Sequence, residues 1–392
     1  MSWRCGSAVI VGAGVGGLTA AVALHQLGWR VTVLERADRL ATVGSGISLF
    51  PNALRALDAV GLGARLRAGG QTVFGTGIRH PSGRWLSRAD DGVTARRYGP
   101  AVLVHRPDLI DLLYRAVPPA AVVTGVHVAG DAVTVGGSGP ATVAHTGTTI
   151  TADLVVAADG VHSVLRSRLF PACPGPRYAG YTTWRLVVAL DLGPDTQAGA
   201  ETWGRGQRFG LARLPGGRTY CYASAATDPG RHAHNGELTE LRARFGGWHD
   251  PIPALLAAAT PDAVIRTDVY EQRSPLPSYV AGRVALLGDA AHAMAPDLGQ
   301  GGGQALEDAV TLASVLADQP DLPTALARYD QLRRASTQRV VRLAHRVGAA
   351  AHLRDRFAVA CRDAMLTAIP AAAGTRLLAP ILDWTPPRHD QT

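Results

Sequence analysis

The chain has 392 residues, more than one hydrophobic core usually supports, so two or more lobes are expected. Apolar residues make up 47% and charged residues 18%, the balance of an ordinary soluble globular protein. The net charge of +8 comes from arginine alone, because the sequence holds no lysine, and the 39 arginines form no basic run, which argues against a nucleic-acid-binding arm.

Cys5, Cys173, Cys221 and Cys361 are far apart and show no CxxC spacing. They fit a reduced cytoplasmic set, with neither a disulfide framework nor a metal site. Arg4 and the apolar run 8–24 imitate a signal peptide or membrane anchor, but Gly12, Gly14, Gly16 and Gly17 break the run. A cytoplasmic protein without an integral membrane segment is expected.

Ser7 to Val11 is a β-rich run followed at once by Gly12-Ala-Gly14-Val-Gly16-Gly17. Leu18, Val22, Ala23 and Leu27 continue at helical spacing, and Val31 to Leu34 makes a second strand. This is a βαβ opening with G-x-G-x-x-G at Gly12, Gly14 and Gly17. The first glycine makes the turn, the second admits a pyrophosphate against bare backbone, and the third lets helix and strand pack. Glu35 closes the second strand, where an acid can hold ribose hydroxyls. The pattern points to an adenine dinucleotide and does not distinguish NAD from FAD.

Further on, Gly44-Ser-Gly46 runs into Pro51 at a helix start, which brings backbone close to something flat or anionic. Val73 to Leu86, turning at Pro81-Ser-Gly83, reads as a hairpin that leaves the first domain. Val102 to His105 is a strand, and Arg106-Pro107 opens a helix, with Arg106 a candidate for phosphate or ribityl oxygen. Ala121 to His145 reads as a β-meander around Gly136 to Gly139. Asp153 to Ala158 is a buried strand that ends in Asp159-Gly160 and passes into a helix. From Tyr178 to Val269 the texture changes to alternating strands rich in aromatics, among them Tyr181, Trp184, Trp203, Phe209, Tyr220 and Tyr222. A largely antiparallel sheet with aromatic and arginine side chains on one face makes a good pocket wall.

The densest stretch is Arg283 to Ala317. Val284 to Leu287 is a short buried strand, and Gly288-Asp289 is a turn at its end. Pro296 and the glycines at 299, 301, 302 and 303 form a loop, and a helix starts near Gln304. Free N–H groups at that helix start favour negative charge, and Asp289 can accept hydrogen bonds from hydroxyls. A ligand with a polyol chain and an electron-rich ring suits both. Beyond Ala317 the chain is helical and rich in alanine and arginine.

Taken in order, GAGVGG with Glu35-Arg36, ADGVHSVLR from Ala158 and GDAAHAMAPDLGQGGGQALEDA from Gly288 resemble the group A FAD-dependent monooxygenases, the para-hydroxybenzoate hydroxylase-like family. The GYTTWR run that ends at Arg185 and the WGRGQRFG run from Trp203 are similar to the branch with zeaxanthin epoxidase, urate hydroxylase and salicylate hydroxylase-type enzymes. The resemblance implies an α/β fold with a discontinuous Rossmann-like FAD-binding domain (1–71, 99–177 and 270–345). It also implies a mostly antiparallel β-sheet substrate domain (72–98 and 178–269) and a C-terminal helical segment (346–392).

By the same resemblance, Gly12, Gly14, Gly17, Glu35 and Arg36 hold the ADP half of FAD, with Gly46, Arg106 and Asp159 along the cofactor. Asp289 would bind the ribityl chain, and Pro296, Gly299, Gly301 and Gly302 would face the isoalloxazine. Tyr181, Arg208, Tyr220 and Asp297 become candidates for substrate contact, and Arg185, Tyr220, His292 and Asp297 for catalysis. Tyr220, Asp297 and His292 are the candidate bases, unranked. Many relatives carry Asn at the position of Asp297. The implied chemistry uses NADH or NADPH to reduce FAD, and dioxygen then adds at the flavin C4a carbon. The hydroperoxide so formed hydroxylates or epoxidises an aromatic or unsaturated small molecule, with natural-product tailoring as the expected setting and a monomer or homodimer as the expected assembly. A flavin-dependent halogenase would need a catalytic lysine, which this chain lacks. An NAD-dependent dehydrogenase explains residues 8–36 but not Asp159 or the loop after Asp289. A non-hydroxylating flavoprotein oxidase or reductase and a prenyl-carrier protein of related fold stand as alternatives.

Overall fold

The computed structural model describes residues 6–40, 44–73, 76–88, 91–135, 139–193 and 199–387. Its first layer is a six-stranded sheet in the order Val280–Ala281, Val284–Leu286, Leu154–Ala157, Ser7–Val11, Arg30–Leu34, Val122–Val123. The pairs are parallel except the first, so the strands are buried on both faces and read as continuous apolar runs. Val11 sits opposite both Leu34 and Ala157, and Ala157 opposite Leu286. This register aligns the carboxyl ends of four strands, so Gly12, Glu35, Asp159 and Asp289 gather along one edge. Ligands of open α/β sheets bind outside such an edge.

Helix Val15–Gln26 and helix Gly301–Asp318 pack together over this sheet. Their contact needs small residues: a Cβ at Gly16 would lie 2.4 Å from Leu287 Cδ2 and 3.1 Å from Ala305 Cβ.

The second layer is a seven-stranded sheet in the order Ile265–Glu271, Arg177–Val188, Arg218–Ala225, Gln207–Leu214, Ala200–Trp203, Gly77–Arg79, Trp85–Arg88. Its pairs are antiparallel apart from Ala200–Trp203 with Gly77–Arg79. Side chains alternate between its faces. Trp184, Leu186, Phe209, Leu211, Cys221 and Ala223 pack under helices Glu237–Phe245 and Ile252–Ala258. Arg185, Arg208, Tyr220 and Tyr222 therefore fall on the opposite face, which looks toward the first layer. There Leu103, from a small sheet of Gly46–Leu49, Val102–His105 and Gln71–Thr72, joins Tyr220 in one apolar cluster. Helices Leu322–Ala351, Arg356–Ala368 and Ala371–Leu382 follow, and no helix among the described residues is long and apolar enough to cross a membrane.

Three local expectations need correction. Val122–Val123 does not belong to a meander but adds a parallel edge to the first sheet, against Val33 and Leu34; only Val133–Thr134, Ala141–His145 and Thr148–Ala152 form the antiparallel unit, and part of the expected Gly136–Gly139 turn lies outside the described residues. Asp289 starts a short helix, Asp289–His292, rather than sitting in a turn. The long helix of the key stretch begins at Gly301, three residues before the expected Gln304, because the glycines at 301, 302 and 303 form its first turn.

Candidate active site

The glycine loop meets the geometric demands read from its sequence. Gly12 has φ +107°, and a Cβ there would lie 2.4 Å from Ala158 O. A Cβ at Gly17 would lie 2.0 Å from Gly12 O. Both glycines are thus fixed by close packing. Gly14 is different: a Cβ there would meet no atom within 4 Å, and no side chain caps the helix that it opens. A helix start with no side-chain cap and no crowding at its glycine is the arrangement that receives a pyrophosphate. Glu35 braces the loop, accepting Ala13 N–H at 2.7 Å and Ala37 N–H at 2.9 Å. Arg36 is exposed beside it.

Asp159 has protein partners as well: it accepts Ser163 Oγ–H at 2.6 Å and Leu165 N–H at 3.2 Å, capping helix Val164–Leu169. From that helix the buried Arg166 donates to the carbonyls of Val161 (2.8 Å) and Ala290 (3.1 Å), which ties the Asp159 strand end to the Asp289 helix. Asp289 lies deep within the protein mass, yet its own surface is exposed. Those two facts together place it on the wall of an internal cleft. Its surroundings push the carboxyl above the usual range, opposed by the charges of His292, Arg106, Arg166 and Arg185. Burial and the charge of Arg185 in turn lower the Arg106 guanidinium, and Asp289 raises it. Three arginines around one carboxylate leave the cleft with surplus positive charge.

The glycine-rich loop after Asp289 runs through the turn Pro296–Leu298 and Gly299, which is left-handed at φ +63°. A Cβ at Gly299 would approach Phe50 to 3.1 Å, and one at Gly302 would lie 2.8 Å from Ile47 Cδ1. A Cβ at Gly301 would sit 4.0 Å from Asp289 Oδ1. The strand that carries Ile47 also carries Gly46, over which the Tyr220 ring packs, 2.4 Å from where a Cβ would be. Asp289 with Gly301, Ile47 with Gly302, and Tyr220 with Gly46 are thus brought into close approach, as their sequence spacing alone could not show.

Tyr220 lies within electrostatic reach of Arg185. Burial pushes its phenol up, with Arg185 pulling the other way, so at neutral pH it keeps its proton. Asp297 is not an open base. Its side chain is fully buried; Oδ1 receives Arg208 Nη1 at 2.6 Å and Oδ2 receives the Tyr181 hydroxyl. Arg208 reaches back to Glu201, which also accepts from Tyr222 Oη and, at 2.9 Å, from Trp203 Nε1. His292 is buried with Nε2 on Asp308 Oδ2 at 2.6 Å, and Asp308 receives Arg333 Nε at 2.6 Å. That position ties His292, through Asp308, to the Gly288 N–H that precedes Asp289.

Glu201, Asp308, Arg333 and His352 were not singled out from sequence. Their partners lie far away along the chain or on neighbouring strands, so no local motif marks them.

Comparison with known proteins agrees with this architecture. The FAD binding domain family matches residues 6–344. Aurachin C monooxygenase/isomerase of Stigmatella aurantiaca is 38% identical over 359 residues, covering 91% of this chain and 93% of the relative. 3-Amino-4-hydroxybenzoate 2-monooxygenase of Streptomyces cremeus is 37% identical over 365 residues, covering 88% of each. The crystal structure of Klebsiella pneumoniae HpxO with FAD and uric acid superposes with a TM-score of 0.87 at 29% identity, covering 98% of this chain and 97% of that one. The open space at Gly14, the uncapped helix end and the cleft carboxylate Asp289 fit FAD. The chain belongs to the FAD binding domain family, within the group A flavin monooxygenases, and is an FAD-dependent monooxygenase with NAD(P)H as co-substrate.

Proposed function

We propose that the protein hydroxylates a planar aromatic ring that bears ionisable oxygen or nitrogen, bound as an anion between Tyr220–Arg185 and the loop Pro296–Gly302. One observation carries this reading: the Tyr220 phenol, within electrostatic reach of Arg185, packs on Gly46, whose strand neighbour Ile47 meets Gly302 of that loop. Two of the relatives support the substrate class, since their names and ligands specify 3-amino-4-hydroxybenzoate and uric acid.

The overall change is substrate C–H, dioxygen, NAD(P)H and a proton going to substrate C–OH, NAD(P)+ and water. Bound FAD supplies the chemistry that carries the two electrons from NAD(P)H to dioxygen. The protein does the rest. Glu35, the Gly14 helix end, Arg106 and Asp289 bind the cofactor. Arg185 holds the ionised ring oxygen or nitrogen, which keeps the ring electron-rich at the carbon to be attacked. Tyr220 donates a hydrogen bond to the same edge and fixes which carbon faces the flavin side. Arg208, pinned between Asp297 and Glu201, closes the outer wall and keeps water away.

Free Cys173, Cys221 and Cys361 support a cytoplasmic setting. The test is product analysis after incubation with NAD(P)H and a panel of hydroxybenzoates, aminophenols, purines and quinolones. Hydroxylation of an anionic ring, with Arg185→Gln raising KM about tenfold or more, supports the reading. Turnover of neutral polyenes alone overturns it.

A further inference from the structure

His352, one residue past the long helix Leu322–Ala351, occupies a junction of three elements. Its ring stacks on Tyr181 with centroids 3.8 Å apart and planes 12° from parallel. Nδ1 lies 2.8 Å from the carbonyl of Gly348, and Nε2 lies 2.8 Å from Ser224 Oγ on the seven-stranded sheet. Tyr181 donates to Asp297. Gly348 backs that same carboxylate, since a Cβ there would fall 2.5 Å from Asp297 Oδ2. The helix end, the sheet and the glycine-rich loop thus converge on one histidine and one aspartate.

We propose that His352 is a positioning residue for hydroxylation: as a neutral ring it fixes the Tyr181 hydroxyl on Asp297, and through Asp297 it holds Arg208 at the substrate wall. This rests on the proposed function. The hydrogen bonds define the tautomer. A carbonyl only accepts, so Nδ1 carries the hydrogen, and Nε2 offers its lone pair to the Ser224 hydroxyl. Both ring nitrogens are satisfied without a charge.

The charged and titratable groups around the ring are Tyr181, Arg208 and Glu201 from the sheet and Asp297 from the loop. Burial disfavours the imidazolium, Arg208 opposes it and Asp297 and Glu201 favour it, the net effect lying below the ordinary value of 6.5. Protonation would put a second cation beside Arg208 and aim Nε2–H at Ser224. Asp297 would then be drawn toward the new cation and its hold on Arg208 would loosen.

The experiment compares wild type, His352→Phe and Ser224→Ala for FAD content and for product formed per NAD(P)H consumed, from pH 5 to 8, with the panel compound that wild type hydroxylates fastest. His352→Phe keeps a stacking ring but neither hydrogen bond nor titration. The expected result is full FAD content, a fall in coupling of about fivefold to tenfold at neutral pH, the scale of one net hydrogen bond, and loss of the decline in coupling that wild type is expected to show toward the acid end of the range. Ser224→Ala, a smaller change, should lower coupling in the same direction. Wild-type coupling in both variants, or an acid decline that survives in His352→Phe, overturns the proposal. A wild type that hydroxylates no panel compound counts against the proposed function instead. His352 is then judged by nitrogen-15 histidine spectra, in which a neutral Nδ1–H ring at pH 7 is expected and a charged ring overturns the assignment.

Discussion

Arg208 and Asp297 form a buried ion pair, Nη1 to Oδ1 at 2.6 Å, that joins the seven-stranded sheet to the loop Pro296–Gly299. Glu201 takes the other arm of the guanidinium, so one arginine bridges two carboxylates that lie 96 residues apart in the chain. Removing a partner from a buried pair leaves charge without compensation, which is costlier than never having had the pair. Asp297→Asn should therefore keep FAD but destabilise the fold by about 1–3 kcal/mol in urea unfolding. It should also lower product per NAD(P)H, because Arg208 is left to Glu201. Unchanged stability and coupling would show that the pair has no such role.

The glycine loop offers a sharper contrast. At Gly14 a side chain meets open space in the protein, whereas at Gly17 it meets Gly12 O. Gly14→Val should leave apoprotein stability near wild type and weaken FAD binding at least about tenfold, since the branched side chain fills the pyrophosphate space. Gly17→Ala should instead destabilise the apoprotein by about 1–3 kcal/mol through overpacking. Thermal unfolding of apoprotein with FAD titration separates the two.

Glu35 bonds to the N–H groups of Ala13 and Ala37 and lies where the ribose is expected. Glu35→Ala should lower FAD retention through gel filtration, because both the loop brace and the ribose contact go. Retention equal to wild type would put the ribose elsewhere.

Asp308 provides a pH prediction. Burial raises its carboxyl, but His292 and Arg333 outweigh that and hold it down to about 2, against an ordinary value of 3.8. A lowered folded value stabilises the protein above the unfolded value, and that stabilisation is lost as pH falls from about 4 to about 2. The difference is worth about 2 kcal/mol. Asp308→Asn should lose about this much at pH 7 and show a flatter decline across the acid window in urea unfolding. Equal acid slopes would remove Asp308 from the account.

Much of this was legible in the sequence because the cofactor-binding edge is built from local motifs. Gly12, Gly14 and Gly17 lie within one turn region, and Asp289 follows its strand by three residues, so spacing along the chain tracks spacing in space. The substrate wall is built differently. Tyr220, Arg185, Arg208 and Glu201 come from four strands whose register is fixed only by pairing, such as Arg185 opposite Tyr222. Asp297 looked available beside a glycine loop, and only the packed structure shows its carboxylate closed off by Tyr181, Arg208 and Gly348. His292 looked like a candidate base, but helix Gly301–Asp318 brings Asp308 to it and ties it to the Gly288 N–H.

The central claim is that one atom of dioxygen is inserted into an aromatic ring at the face formed by Tyr220 and Arg185. The most direct measurement is mass spectrometry of the product formed under oxygen-18 gas, with NAD(P)H and an accepted ring substrate. The account predicts one heavy oxygen atom in each product molecule, with incorporation falling sharply in Arg185→Gln. Peroxide as the sole oxygen product, or product oxygen drawn from water, would contradict it.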